Sequence, residues 1–267
     1  MANADAIDIR QQITGDGAIL FDAACAAQAG AFEADWFEPQ YWRSQGLATD
    51  ESGGRGGITF VRTPPGNKDG GGWVLRHYRR GGMVARVMGD RYLWNGAEQT
   101  RSFAEFRLLA ELARRGLDVP RPVAARYRRN GVHYRADLIT AQISDAQTLA
   151  RRASAGTLDA AIAQRVGSAI ARLHASGVYH ADLNAHNLLL DPRTVWIIDF
   201  DRGELREPQR AWQLANLARL KRSLLKLGAA GDGDQGDRVF EQEIWHPLMS
   251  AYERSFDTTA AKIAGAR

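Results

Sequence analysis

Three side chains stand at a spacing that suits the movement of a phosphoryl group. The stretch His180-Ala-Asp-Leu-Asn-Ala-His-Asn187 sets Asp182 five residues ahead of Asn187, and Asp199 follows in Ile198-Asp-Phe-Asp201. Phosphoryl transfer to a hydroxyl needs one carboxylate aimed at the acceptor oxygen, and oxygen ligands for the magnesium that bridges the nucleotide phosphates. Asp182 supplies the first. Asn187 and Asp199 supply the second, a carbonyl and a carboxylate suited to a hard cation that keeps water and phosphate in the rest of its shell. Asp and Asn also favour turns for local reasons, but local reasons do not set all three at this spacing. The implied cofactors are ATP and Mg2+.

The surrounding pattern supplies elements to hold them. Residues 159–176 read as a helix with Ile162, Val166, Ile170 and Leu173 on one face and Gly177 as its stop. Residues 188–190 and 195–198 read as short strands joined by the Asp191-Pro192 turn. Upstream, residues 58–62 and 73–78 read as a hairpin around a turn at 64–72. A helix over 102–115 is closed by Gly116, and one or two strands lie in 132–143. A late amphipathic helix spans 212–227, ended by Gly228. Residues 231–237 read as a surface loop, without the closing glutamate of a calcium-binding EF-hand. The expected architecture is α+β, a bilobal protein-kinase-like fold. One kinase-like domain covers 1–267, with a strand-rich N-lobe at 36–143 and a helical C-lobe at 146–267.

The first half should hold the nucleotide. Gly53, Gly54, Arg55, Gly56 and Gly57 form a glycine-dense segment whose backbone amides can approach phosphates. Arg76 sits where the V-A-I-K strand of kinases carries lysine; its planar fork can serve the same phosphates, with Arg79 or Arg80 as substitutes. Glu105 is the expected partner of that cation. The competing reading makes it the end of a capping box begun by Ser102. His174, His180 and His186 are expected to order the loop rather than to react. Asp201 either reaches the metal or closes its turn. Departures from protein kinases point to a small-molecule or glycan acceptor: Ala181 replaces the arginine of H-R-D, Asn184 stands where serine/threonine kinases place a lysine, and no A-P-E follows Asp199.

The bulk composition bounds the rest. At 267 residues, 45% apolar and 25% charged, the chain has ample material for a core. Its single cysteine, Cys25, forms no internal disulfide and suits a reducing compartment. No run approaches the roughly 18 apolar residues of a membrane span. The alanine-rich stretch at 18–31 is broken by Asp22 and lacks a basic flank, so no signal peptide is expected. Net charge is +4, yet residues 68–135 hold 15 lysines and arginines against 6 acids, a field that favours an anionic partner. Nothing matches a nucleic-acid-binding motif.

Taken together, these residues resemble the 3-deoxy-D-manno-oct-2-ulosonic acid (Kdo) kinase family of lipopolysaccharide assembly. The resemblance rests on Gly54-Arg-Gly56, Leu75-Arg-His-Tyr-Arg-Arg-Gly-Gly82, Arg91-Tyr92, Thr100-Arg101, Glu105-Phe-Arg-Leu-Leu109, the 178–187 loop, Ile198-Asp-Phe-Asp-Arg-Gly203 and Arg219-Leu-Lys-Arg-Ser223. It implies ATP-dependent phosphorylation of the Kdo 4-hydroxyl on a Kdo-lipid A precursor, by a peripheral enzyme at the cytoplasmic side of a Gram-negative inner membrane. An anionic membrane surface is the implied partner, with no protein partner. Arg79, Arg80, Arg101 and Arg202 become candidate substrate contacts. Heptose kinases of the same pathway and aminoglycoside- or choline-type kinases share the central loop, and a pseudokinase scaffold is the alternative of another class.

Overall fold

A computed structural model of the chain describes residues 7–29, 33–49, 58–62, 71–79, 90–231 and 233–265. The chain divides into two compact units, Met1–Gly116 with Pro120–Ser144, and Leu117–Val119 with Asp145–Arg267.

The first unit is built on an antiparallel sheet. Its elements are β1 (Ile9–Ile13), β2 (Gly17–Asp22), α1 (Ala23–Ala29), α2 (Pro39–Ser44), β3 (Ala48–Thr49), β4 (Ile58–Val61), β5 (Trp73–His77), β6 (Tyr92–Leu93), α3 (Arg101–Arg114), β7 (Pro122–Asn130) and β8 (His133–Ala141). The strand order is β1-β2-β7-β8-β5-β4-β3, with β6 also on β8. The expected hairpin is present: β4 pairs β5 from Ile58 against Arg76 to Val61 against Trp73. Alternation along β5 sends Trp73, Leu75 and His77 to one face and Arg76 to the other. The first face is covered by the turn Ala34–Phe37 and by α2, where Trp36, Trp42 and Trp73 meet with ring centroids 5.5 to 6.1 Å apart. The Trp42 indole is buried with its N–H satisfied, donating to the Trp36 carbonyl at 2.8 Å. On the other face, α3 buries Phe103, Phe106, Leu109 and Leu112, and Phe103 meets Tyr127 of β7 edge-on at 5.0 Å.

Neither β1–β2 nor β7 was expected from sequence. β7 carries Arg126, Arg128 and Arg129, which break the apolar alternation that marks a strand. Arg126 is nonetheless buried, because Asp137 of β8 and Glu38 accept from its guanidinium at 2.9 and 2.8 Å. A buried charge survives only when paired in this way.

The second unit contains β9 (Gln147–Thr148), α4 (Leu149–Ser154), α5 (Ala160–Ala175), β10 (Val178–Tyr179), β11 (Leu188–Leu190), β12 (Val195–Ile197), β13 (Glu204–Leu205), α6 (Arg210–Lys226), α7 (Gly233–Phe240) and α8 (His246–Gly265). Asp159 caps α5, its carboxylate accepting from Ile162 N–H at 2.8 Å. Gly177 follows the helix at φ 73°, the left-handed stop that glycine adopts without penalty. Helix α5 lies tight against α8: a Cβ on Gly167 would fall 2.1 Å from the Leu248 carbonyl oxygen. The turn before β12 is closed by Asp191, whose side chain accepts from Arg193 N–H at 2.7 Å and Trp196 Nε1 at 2.8 Å.

One expectation is corrected here. Residues 231–237 are not wholly loop, since α7 begins at Gly233 and runs through a π-helical turn, Glu241–Trp245, into α8. Burial of Phe240 and Ile244 outweighs the poor helix propensity of glycine and aspartate. No helix among the described residues is long and apolar enough to cross a membrane.

Candidate active site

The catalytic loop is held from inside by His180. The loop leaves β10 and returns to β11, and the His180 ring lies fully buried against Phe200, centroids 4.9 Å apart. Asp182 N–H donates to His180 Nδ1 at 3.1 Å, so Nε2 carries the proton and donates to the Ile198 carbonyl at 3.0 Å. That tautomer is neutral, and burial lowers the His180 pKa accordingly. A single ring thus joins the backbone before Asp199 to the backbone of Asp182. Ile198 N–H closes the same junction on the Asn187 carbonyl at 3.0 Å.

The polar side chains of the loop finish the frame. Asn184 Oδ1 accepts from His186 N–H at 2.8 Å and starts the turn Ala185–Asn187. The Asp182 carbonyl accepts from Asn184 Nδ2 at 3.1 Å and Asn187 Nδ2 at 3.0 Å. Fixed at its backbone, Asp182 presents a carboxylate that is 58% exposed, with Arg219 Nη1 at 3.1 Å. This arrangement suits a base that must meet an incoming hydroxyl.

Asn187 and Asp199 fit magnesium. The Asn187 amide nitrogen is committed to the loop, so Oδ1 is the atom for a cation. Asp199 holds φ 61°, a left-handed conformation that costs a non-glycine residue about 1 to 2 kcal/mol. Such strain persists where the surroundings over-determine it, as the Ile198 bonds do here. One carboxylate and one amide carbonyl match a cation that takes most of its shell from phosphate and water. No cluster of three or more His, Cys, Asp or Glu able to hold a metal occurs among the described residues, and magnesium in this chemistry needs none.

The first unit contributes a separate assembly. Glu105 is 3% exposed, and its carboxylate accepts from Arg76 Nη2 and from Tyr78 Oη at 2.6 Å. Arg76 also donates to Tyr78 Oη at 3.1 Å and lies over the Tyr78 ring. The capping-box reading of Glu105 fails: α3 starts at Arg101 after Thr100, and Ser102 Oγ donates instead to the Arg126 carbonyl at 2.9 Å. A cation pinned by a buried carboxylate and a phenol is pre-set to meet phosphates.

A model of the lipopolysaccharide kinase (Kdo/WaaP) family matches residues 39–252. The chain belongs to that family. The protein named 3-deoxy-D-manno-octulosonic acid kinase from Xanthomonas campestris pv. campestris (strain B100) is 49% identical over 240 residues, 90% of each chain. A protein of the same name from Stenotrophomonas maltophilia (strain R551-3) is 46% identical over 91% of this chain and 92% of its own. A solved structure titled "WaaP in complex with acyl carrier protein" aligns over 94% of this chain and 99% of that one, at 16% identity and a TM-score of 0.42. As a member of the Kdo/WaaP family, the protein is a phosphotransferase acting on a hydroxyl, with an α+β kinase-like fold.

Within this family member the structure brings Asp182 and Asn187 into one hydrogen-bonded frame that reaches Ile198, the residue before Asp199, and Arg76 and Glu105 into one ion pair. Arg79 is exposed just after β5, beside a cavity of about 470 Å³ that Arg43 and Arg128 also line. Arg101 is stacked on Tyr92, 4.6 Å from the ring centre, and donates to its hydroxyl at 3.3 Å. Arg202 is exposed at φ 60° in the turn after Asp201. Gly53, Gly54, Arg55, Gly56, Gly57 and Arg80 lie outside the described residues. His174 and His180 are structural: Tyr252 Oη sits 3.0 Å from His174 Nδ1, and burial pushes that ring down to about 3. His186 is exposed, its backbone N–H bound by Asn184.

Sequence reasoning missed Tyr78 beside Arg76 in the first unit and, in the second, the contacts of Asn216, Arg219 and Ser223 with the loop. Tyr78 carried a signal, since a buried tyrosine next to Arg76 needs a partner for its hydroxyl. The α6 residues lie far along the chain from the loop; Arg219 and Ser223 fall in the 219–223 string of the resemblance, but nothing in that string reports what they touch.

Proposed function

We propose that the enzyme transfers the γ-phosphoryl group of ATP, with Mg2+, to the 4-hydroxyl of Kdo on a Kdo-lipid A precursor. The observation that carries the acceptor is the 49% identity, over 90% of both chains, to a protein named 3-deoxy-D-manno-octulosonic acid kinase. Asp182 takes the hydroxyl proton and aims the oxygen at phosphorus. Asn187 and Asp199 hold the magnesium, which when bound neutralises phosphate charge. Arg76, braced by Glu105 and Tyr78, meets the α- and β-phosphates, and the amides of Gly53, Gly54, Arg55, Gly56 and Gly57 line the same phosphates. Arg79, Arg80, Arg101 and Arg202 serve the acidic acceptor. The arginine-rich first half holds the enzyme peripherally at the anionic cytoplasmic surface of an inner membrane. Positioning and charge neutralisation supply most of the rate.

The test is phosphate transfer from labelled ATP to a Kdo-bearing lipid A precursor, beside heptosylated lipid and aminoglycoside acceptors. Label on Kdo, lost with Asp182→Ala, is expected. Label only on another acceptor would keep the kinase and discard the Kdo assignment.

A further inference from the structure

The loop has no cation of its own beside Asp182. Asn184 stands where serine/threonine kinases carry a lysine next to the γ-phosphate, and both polar atoms of its side chain are engaged within the loop. A cation arrives from a different element. Three residues on one face of α6, spaced three and four apart, reach the loop. Asn216 Oδ1 accepts from His180 N–H at 3.4 Å, Arg219 Nη1 donates to Asp182 Oδ1 at 3.1 Å, and Ser223 Oγ accepts from Ala185 N–H at 3.1 Å. The outer two contacts fix the helix to the loop. The middle one delivers a guanidinium to the catalytic carboxylate.

We propose that Arg219 is a catalytic residue, the cation that meets the transferring phosphoryl group in place of a lysine at position 184. The proposal rests on the kinase reading above. Two observations separate it from an ordinary ion pair. Asp182 is already fixed at its backbone by His180, Asn184 and Asn187, so the loop does not depend on the arginine to hold its shape. An exposed pair of this kind adds little to stability, and Arg219 is 48% exposed. Of its five N–H donors only one has a protein partner among the described residues. The rest are free for phosphate oxygens, at the carboxylate where the acceptor hydroxyl must arrive.

In the step itself, the acceptor oxygen forms a bond to the γ-phosphorus while the bond from that phosphorus to the β–γ bridging oxygen breaks. The proton of the hydroxyl passes to Asp182, and the bridging electron pair leaves with the nucleoside diphosphate. Arg219 donates to the equatorial oxygens of the group in flight, where negative charge gathers.

The experiment compares wild type, Arg219→Ala, Arg219→Lys and Asp182→Ala for turnover and for binding of a fluorescent ADP, with and without millimolar guanidinium chloride. For Arg219→Ala, kcat should fall about 10²- to 10³-fold while ADP affinity stays within about threefold. Lysine should recover at least about tenfold of that loss, and free guanidinium should raise the alanine variant alone. A kcat for Arg219→Ala within fivefold of wild type, beside an inactive Asp182→Ala, would overturn the proposal. So would a loss that neither lysine nor guanidinium relieves, which marks a structural role. Normal turnover by Asp182→Ala would instead bring down the kinase reading beneath it.

Discussion

The two units bury histidine in opposite ways. In the first unit His77 sits between two acids, Asp137 at 2.7 Å from Nδ1 and Asp90 at 2.9 Å from Nε2, and its pKa rises chiefly through the Asp137 hydrogen bond. Burial works against the Asp137 carboxylate, but His77 and Arg126 outweigh it and hold it below its usual range. In the second unit His174 and His180 are buried without an acid in hydrogen-bonding contact, and burial keeps both neutral. The Asp182 carboxylate of that unit is exposed and accepts from Arg219. The first unit holds charge by pairing it, as also in Arg76–Glu105. The second buries a neutral hydrogen-bonded frame and keeps its ion pairs, Asp182 with Arg219 and Arg210 with Glu253 among them, near the surface.

The sharpest break of that contrast comes at the frame's charged ends. Asp199→Ala should lower turnover by about 10²- to 10⁴-fold and abolish the magnesium dependence of nucleotide binding; magnesium-dependent binding that survives would remove Asp199 from the metal. In the first unit, Glu105→Ala leaves the Arg76 guanidinium and the Tyr78 hydroxyl without their shared acceptor. It should destabilise the protein by about 3 kcal/mol in urea denaturation and raise the KM for ATP several-fold, with a smaller effect on kcat. An unchanged KM would detach the pair from the nucleotide.

The histidines give the cleanest sign. His77 has a raised folded pKa, so its contribution is full below about pH 6.5 and fades as pH rises through that raised value. His174 and His180 have lowered values, so the unfolded chain binds protons that the folded one refuses. Stability should fall below about pH 6.5, by up to about 1.4 kcal/mol per pH unit for each ring. Histidine ring titration by NMR reads both. His77 should titrate above His174 and His180, and His174 should stay neutral to below pH 5; titration of all three near pH 6.5 would dissolve the contrast.

How much of this was legible in the sequence follows the same division. The loop from His180 to Asn187 is local, and its place between a helix and a strand pair could be read from residue type and spacing, as could the helix before it and the β11–β12 hairpin after it. Arg76 and Glu105 needed only a strand and the next helix. β7 escaped because arginine on a strand breaks the apolar alternation, and the burial of Arg126 depends on Asp137 of the next strand and on Glu38, far off in the chain. The α6 contacts escaped for the same reason: Arg219 meets Asp182 across 37 residues of chain, and no local pattern reports such a pairing. The helix at α7 was hidden by glycine and aspartate, whose propensities yield to the burial of Phe240.

The account stands on Asp182 acting on the acceptor and not on the nucleotide. Its most direct test measures turnover and ADP binding on the same Asp182→Ala preparation. The account predicts turnover reduced about 10²- to 10⁴-fold with ADP affinity within about threefold of wild type. Turnover that stays near wild type, or ADP binding lost along with it, would contradict that role.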